Sequence, residues 1–406
     1  MNNYNNYCEI CDKKNILYSV LNLGEHPLCD DLIKIGSKKI NKLHKIEILF
    51  CKRCVTAYQK FQVKKKILFP RNYHYRSSLT KDVLNGMHQL VQDCKKTVGD
   101  LKNKIVLDIG CNDGSLLNIF KKNKSITIGI EPTNACQAAR KKGHEIFQGY
   151  IDDKIIKKIK KKYKTIDIIT FTNVFAHIED LRKLIKNLKK IIGEKTVLVI
   201  ENHYLGSVIN KNQFDTFYHE HPRTYSLTSF VKMSKLLNMK ILKYAFPKRY
   251  GGNIRIFYSR NCLKSFKNIK LIKEEKKFFN KIKNFDKLIK IWKMRKLNEI
   301  LKLNLIHGPL PAKAFPGRAA ILLKILNLKK NHIDCIYEKP NSNKIGYYAP
   351  GTNIPIKSDE MLRKNINNRP LINLAWHIKN EIQGYLKSLK INSKIINIVE
   401  NKNFKK

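Results

Sequence analysis

The sequence predicts an α/β protein with a small N-terminal cysteine-bearing module, a central doubly wound parallel sheet and a second, smaller α/β domain. Three observations predict it. Between Tyr73 and Tyr244, short β-rich runs alternate with amphipathic stretches, which is the pattern of strands and crossover helices around a parallel sheet. Before that region the chain carries two Cys-x-x-Cys pairs and little regular periodicity. After it, a long lysine-rich helical pattern leads into a second set of strand-like and helix-like runs. The expected domains are residues 1–72, 73–245 and 246–406.

In the central region, strands are expected at Ile105–Ile109, Thr127–Ile130, Asp167–Thr172 and Val197–Glu201. Helices are expected at Ser115–Lys121, Asn134–Lys142 and Asp180–Lys190. The stretch Ile269–Leu303 has apolar residues at nearly every third or fourth place and reads as one long helix. Beyond it, the runs NLIH, DCIY and LINLAW read as strands and AAILLKIL as a helix. The charged tail from Asn401 is expected to fray.

Lysine and arginine number 81 against 32 acidic residues, a net charge of +49. Such an excess invites a polyanionic partner. Lysine, however, rises with isoleucine and asparagine along the whole chain, as compositional drift would produce, so the charge names no partner. The first residues lack the basic start and apolar run of a signal peptide. No apolar run approaches the ~20 residues of a membrane helix. A soluble cytoplasmic protein without membrane contact is expected. In that reducing setting the ten cysteines favour metal binding over disulfides where they cluster.

Cys8, Cys11, Cys51 and Cys54 form two such clusters. Each Cys-x-x-Cys turn presents two thiolates, and two turns complete a tetrahedral zinc site with no open position, hence structural. The interval between the pairs is longer than the ~15–20 residues usual in zinc ribbons. The other six cysteines read as core thiols.

In KIVLDIGCNDGSLL a strand ends at Asp108, and a turn carrying Gly110 and Gly114 leads into a helix at Ser115. Glycines at the carboxyl end of a parallel strand let backbone approach a ligand. About twenty residues on, Glu131 ends the next strand, where a carboxylate accepts both hydroxyls of a ribose. No third glycine follows, so a dinucleotide fits poorly and S-adenosylmethionine is the expected cofactor.

These residues resemble motif I of class I S-adenosylmethionine-dependent methyltransferases. The chain is similar to the subgroup of sugar C-methyltransferases that act on nucleotide-linked 4-keto-deoxyhexoses. The matching segments are CEIC, LGEHPLCDDL, CKRCVTAYQ, YHYRSSLT, NVFAHIEDL, FDTFYHEHPRTYSL, GGNIRIFY and PGTNIPI, running from Cys8 to Ile356. The resemblance implies a Rossmann-like methyltransferase core between a zinc module and a C-terminal substrate-binding domain. It also implies Asp108, Gly110, Asn112, Gly114, Glu131 and Asn173 as cofactor-binding residues.

Methylating carbon requires a base for the C–H beside a ketone and donors for the oxyanion that forms. Tyr218-His219-Glu220-His221 is dense in such groups, and a histidine base suits neutral pH. Metal ligation by His219 and His221 is the rival reading. The resemblance implies His221 as base, Tyr218 and Glu220 as orienting groups, and His177 as a contact to the keto sugar. Tyr73 and Tyr75 both qualify as active-site phenols, and Tyr75 is favoured.

Arg255 and Lys313 are the cations expected to meet a nucleotide diphosphate. The loop around Lys313 departs from the family's compact Gly-Ala-Pro-Ala-Lys-Gly pattern by inserting Leu310 and placing Ala314 last. Tyr250 stands where histidine is common. The expected activity is methyl transfer to a sugar carbon, C3 of a nucleotide-linked 4-keto-deoxy sugar, through an enolate, without nucleic acid as partner. A basic zinc-bearing RNA methyltransferase and a non-catalytic adaptor of the same fold are the rival readings.

Overall fold

The computed structural model describes residues 3–4, 6–262, 268–366 and 368–405. The chain divides into two units. The first comprises Met1–Tyr18, Leu49–Ser207 and Glu220–Phe279, and the second comprises Ser19–Ile48, Val208–His219 and Asn280–Lys406.

The first unit is built on seven strands: β1 Ile105–Ile109, β2 Ile126–Glu131, β3 Glu145–Gln148, β4 Ile168–Thr172, β5 Val197–His203, β6 Lys240–Ala245 and β7 Asn253–Ser259. Their order is β3-β2-β1-β4-β5-β7-β6. The first five are parallel, and β7 runs antiparallel between β5 and β6. Strands covered on both faces need apolar residues at consecutive positions, and β1, β4 and β5 are buried along nearly their whole length. The helix Lys81–Val98 buries Val83, Met87, Leu90, Val91 and Cys94, one helical stripe. It joins Leu116 and Phe120 of the helix Ser115–Lys122, and Val106, Ile168 and Val199 of the sheet, in one core. The strand order reverses beside β1, so the carboxyl ends of β1 and β4 flank the crevice where such sheets hold ligands.

The second unit carries five parallel strands: β8 Leu310–Lys313, β9 Ile333–Glu338, β10 Ile356–Ser358, β11 Leu371–Asn373 and β12 Ile395–Asn397. They are ordered β10-β9-β8-β11-β12. The segment Val208–His219 is pinned to this unit by charge. Arg318 donates from two nitrogens to the Asp215 carboxylate at 2.8 and 2.6 Å, and Trp376 Nε1 donates to it at 2.9 Å.

Four expectations change. Strand β7 completes the seven-stranded sheet, so the expected boundary at 245/246 falls inside it. The long helix is three pieces, Ile269–Glu275, Phe278–Lys283 and Phe285–His307, with breaks at 276–277 and 284. The buried Glu275 fastens the first piece by accepting from Tyr204 Oη and the Leu227 and Thr228 amides. NLIH is the end of a helix: Gly308, at φ +66°, closes it and the strand begins at Leu310. The tail folds into a turn, Asn401–Phe404, whose Phe404 ring lies 6.4 Å from Phe214.

In the second unit, His26 and His219 are buried, each with an Nδ1 lacking a hydrogen-bond partner. Burial lowers their pKa values to about 4 and about 3. Both are therefore neutral when folded and take a proton at their ordinary pKa of ~6.5 when unfolded. Stability is full above that pH and falls as pH drops toward 4, by about 1.4 kcal/mol per pH unit for each histidine. Denaturant titrations between pH 7.5 and 4.5 should show this loss, with a shallower slope for His219→Asn. An identical slope in that variant would contradict the assignment.

Candidate active site

The turn after β1 folds back sharply, with Gly110, Asn112 and Gly114 at φ +77°, +50° and +75°. A Cβ on Gly110 would lie 2.5 Å from Val174, and one on Gly114 would lie 2.9 Å from Ala139 and His144. Both glycines are therefore required by the turn's own packing. The Asp108 carboxyl accepts from Thr170 Oγ1 at 2.7 Å, tying β1 to β4, and burial pushes its pKa up to about 7.

Glu131, at the end of β2, closes the turn. Its carboxylate accepts from the Asn112 amide at 3.0 Å and from the Thr133 amide and hydroxyl at 2.9 and 2.6 Å. A carboxylate offers about four acceptor sites, so the three protein donors leave room for a ribose hydroxyl. Burial raises the Glu131 pKa, and these hydrogen bonds offset part of the rise. Asn173, φ +55°, ends β4, and its side-chain oxygen accepts from Asn253 Nδ2 at 3.1 Å. The glycine turn, the acidic strand end and the polar β4 end fit an adenosyl cofactor.

The YHYRSS segment is fastened onto that turn. Asp113 accepts from Ser77 Oγ at 2.7 Å and the Ser78 amide at 3.0 Å, while Asn112 accepts from the Ser77 amide at 3.1 Å. Asn112 Nδ2 in turn donates to the Tyr75 carbonyl at 3.3 Å. Burial would raise the Asp113 pKa, but the serine hydrogen bonds hold it below the ordinary range.

Three imidazoles meet in the same unit. The His221 ring centroid lies 5.0 Å from that of His177 and 5.1 Å from that of His203. His177 Nδ1 is 2.5 Å from the Glu220 carbonyl. Because a carbonyl only accepts, Nδ1 carries the hydrogen and the neutral ring keeps a lone pair on Nε2. Burial lowers the His177 pKa and favours that neutral form. Tyr73 Oη donates to Glu220 Oε2 at 3.1 Å. Tyr75 Oη lies 2.9 Å from Tyr250 Oη. Both tyrosines thus reach polar groups, Tyr73 on the Glu220 side and Tyr75 over the glycine turn.

Sequence reasoning missed His203, whose place at the end of β5 shows only once strand register is known. Tyr218 and His219 belong to the second unit, where His219 Nε2 lies 3.1 Å from the His44 carbonyl. Among the described residues, the cysteine quartet is the group of three or more metal-ligating side chains brought together, and it does not include His219 or His221.

Arg255 and Lys313 are placed differently from expectation. Arg255 is fully buried, pairs with Glu201 at 2.6 Å and also with Asp93, and donates to the Gly86 carbonyl. Lys313 is buried against Asp359 at 2.6 Å, and burial lowers its pKa. Both charges are neutralised inside their own units, so this geometry offers neither to a diphosphate.

The quartet's sulfurs all lie within 4.8 Å of one another, with Cys8–Cys54 at 3.5 Å and Cys11–Cys51 at 3.8 Å. A tetrahedron of 2.3 Å zinc–sulfur bonds has edges of about 3.8 Å, so the donor set fits zinc. Tyr58 Oη and Thr56 Oγ1 each lie 3.1 Å from a sulfur, Cys8 and Cys54 respectively, and can donate to thiolates there.

Residues 80–244 match a methyltransferase domain, and residues 248–399 match a C-methyltransferase C-terminal domain. The C-methyltransferase NovU of Streptomyces niveus is 23% identical over 252 residues, covering 62% of this chain and 60% of the relative. Among solved structures, the PH0226 protein from Pyrococcus horikoshii OT3 is 14% identical with a TM-score of 0.37, covering 48% of this chain and 99% of that one. Magnesium protoporphyrin IX methyltransferase from Synechocystis PCC 6803 with bound SAM is 14% identical with a TM-score of 0.34, covering 45% of this chain and 83% of that one. The two domain matches follow one another along a single chain, a methyltransferase domain and then a C-methyltransferase C-terminal domain, and the chain spans about 60% of the length of the curated relative it matches.

Proposed function

We propose that the protein transfers a methyl group from S-adenosylmethionine to a carbon beside a ketone, C3 of a nucleotide-linked 4-keto-deoxy sugar. The observation that carries this reading is the histidine cluster built in the same unit as the glycine turn. Methylation of an amine or hydroxyl needs no such set of proton acceptors, whereas a C–H beside a ketone does. The cofactor, when bound, supplies an activated methyl group. Asp108, Gly110, Asn112, Gly114, Glu131 and Asn173 shape the place that holds it.

In this reading His221 takes the proton, leaving the electron pair on the enolate of the substrate. His177, fixed in one tautomer by the Glu220 carbonyl, faces His221 and contacts the keto sugar. Glu220, bonded to Tyr73, orients the loop, and Tyr218, one residue before His219, is a further orienting group in this reading. NovU, matched over 60% of its length, is named a C-methyltransferase, which supports chemistry on carbon. The cysteine quartet holds one structural zinc ion, and the enzyme works in the cytoplasm. No helix among the described residues is long and apolar enough to cross a membrane.

His221→Ala should lower turnover by about 10²–10⁴, the usual cost of a lost general base, with cofactor affinity unchanged. In deuterated solvent the wild type should exchange the C–H that becomes methylated. Methylation of a keto sugar at oxygen or nitrogen, with the C–H beside the ketone fully retained, would overturn the mechanism.

Glu131→Gln replaces one oxygen of the ribose acceptor with a donor. Calorimetry should show S-adenosylmethionine affinity falling by about tenfold or more, since hydrogen bonds to charged groups contribute ~1.5–3 kcal/mol. Unchanged affinity would place the adenosyl group elsewhere.

Gently purified protein should carry about one zinc per chain, and Cys54→Ala should lose it. Structural zinc stabilises small modules by ~10–16 kcal/mol, so chelation should expose the N-terminal segment to protease first. Metal analysis showing no zinc in the wild type rules the site out.

A further inference from the structure

Tyr250 has no role in the reading above, yet its geometry sets it among the acid–base groups. It adopts φ +52°, ψ +27°, uncommon for a bulky residue, and Gly251 and Gly252 follow at φ +86° and +129°. Its ring stacks on His203 with centroids 5.7 Å apart and planes 26° apart, and the Arg249 guanidinium sits 5.1 Å from its centroid. Its hydroxyl lies 2.9 Å from that of Tyr75.

Two bonded hydroxyls use one hydrogen between them, so the other hydrogen must find an acceptor elsewhere. Tyr75 is 36% exposed, which makes it able to reach a bound molecule. Asn112 of the cofactor turn holds its carbonyl. Burial raises the pKa of both phenols above the ordinary value, so both stay protonated donors at neutral pH. A hydroxyl that accepts one hydrogen bond is also a stronger donor of the next.

We propose that Tyr250 positions Tyr75, donating to its oxygen so that the Tyr75 O–H points at the ketone oxygen of the substrate. When the neighbouring C–H loses its proton to the base, the electron pair moves onto that oxygen and the Tyr75 hydrogen bond holds the charge. Tyr250 is thus a positioning residue that acts through Tyr75, and His203, itself edge-to-face with His221, steadies it by stacking. This inference rests on the C-methylation reading.

The test is solvent exchange at the acidic C–H, which reads enolate formation apart from methyl transfer. The probe is a thymidine-diphosphate-linked 4-keto-2,6-dideoxyhexose in deuterated buffer, with S-adenosylhomocysteine in place of the donor. Tyr75→Phe should slow exchange by about 10²-fold, as loss of an oxyanion donor does. Tyr250→Phe should slow it about tenfold with donor affinity unchanged, and the double variant should be no slower than Tyr75→Phe alone. His203→Ala offers a second route that leaves both hydroxyls in the chain. It should slow exchange in the wild type and have no effect once Tyr75 is phenylalanine.

Exchange within twofold of wild type in Tyr250→Phe, or additive effects in the double variant, would overturn the inference alone. A wild type that neither exchanges nor methylates the probe overturns the C-methylation reading and this inference with it.

Discussion

The candidate active site depends on one ion pair, the partly buried Glu9 with the fully buried Arg223. Glu9 lies inside the first Cys-x-x-Cys turn, and Arg223 lies two residues after His221. Arg223 is fully buried, pairs with Glu9 and donates to the carbonyls of Ile178 and Glu179, just past His177. The second Glu9 oxygen accepts from the Leu181 amide at the start of the helix Leu181–Ile191. One charge pair thereby joins the cysteine turn, the His177 loop and the segment just after His221. Removing one partner of such a pair leaves the other charge buried, which costs about 3–5 kcal/mol. The cysteine turn is therefore part of how the clustered His177 and His221 are held.

The cationic composition is used selectively. The bulk of the +49 charge says little about function, whereas the few buried arginines organise the interior. Arg255 and Arg249 converge on Glu201 at the end of β5, and Gly86 leaves the space that Arg249 fills. Arg318 does the same for Asp215 in the second unit. Arg255 and Arg318 each satisfy two or more acceptors with a rigid fork, which a lysine in either place would not reproduce.

Much of the first unit was legible in the sequence because its signals are local. Apolar runs ending in Asp108, Glu131 or Thr172 mark parallel strands, and a glycine pair between strand and helix marks the turn. The cysteine quartet was legible for the same reason. What escaped depends on contacts distant in the chain. The antiparallel return of β7 to the sheet has no signature in its own composition. NLIH has the apolar content of a strand but lies at a helix end that only Gly308 terminates. Arg255 and Lys313 are cations in suggestive places, and only their carboxylate partners show that they are occupied. His203 carries no motif, and enters the site solely through the register of β5.

The division of each unit into three chain segments has a consequence for synthesis. The segment Ser19–Ile48 leaves the ribosome early, yet its own unit is completed only by residues from Asn280 onward. At 5–20 residues per second, that separation is a delay of roughly 10–50 s. The buried strand residues Val20, Leu21, Ile46 and Ile48 belong to that early segment. Their unit therefore gains its last segment only after most of the chain has been made.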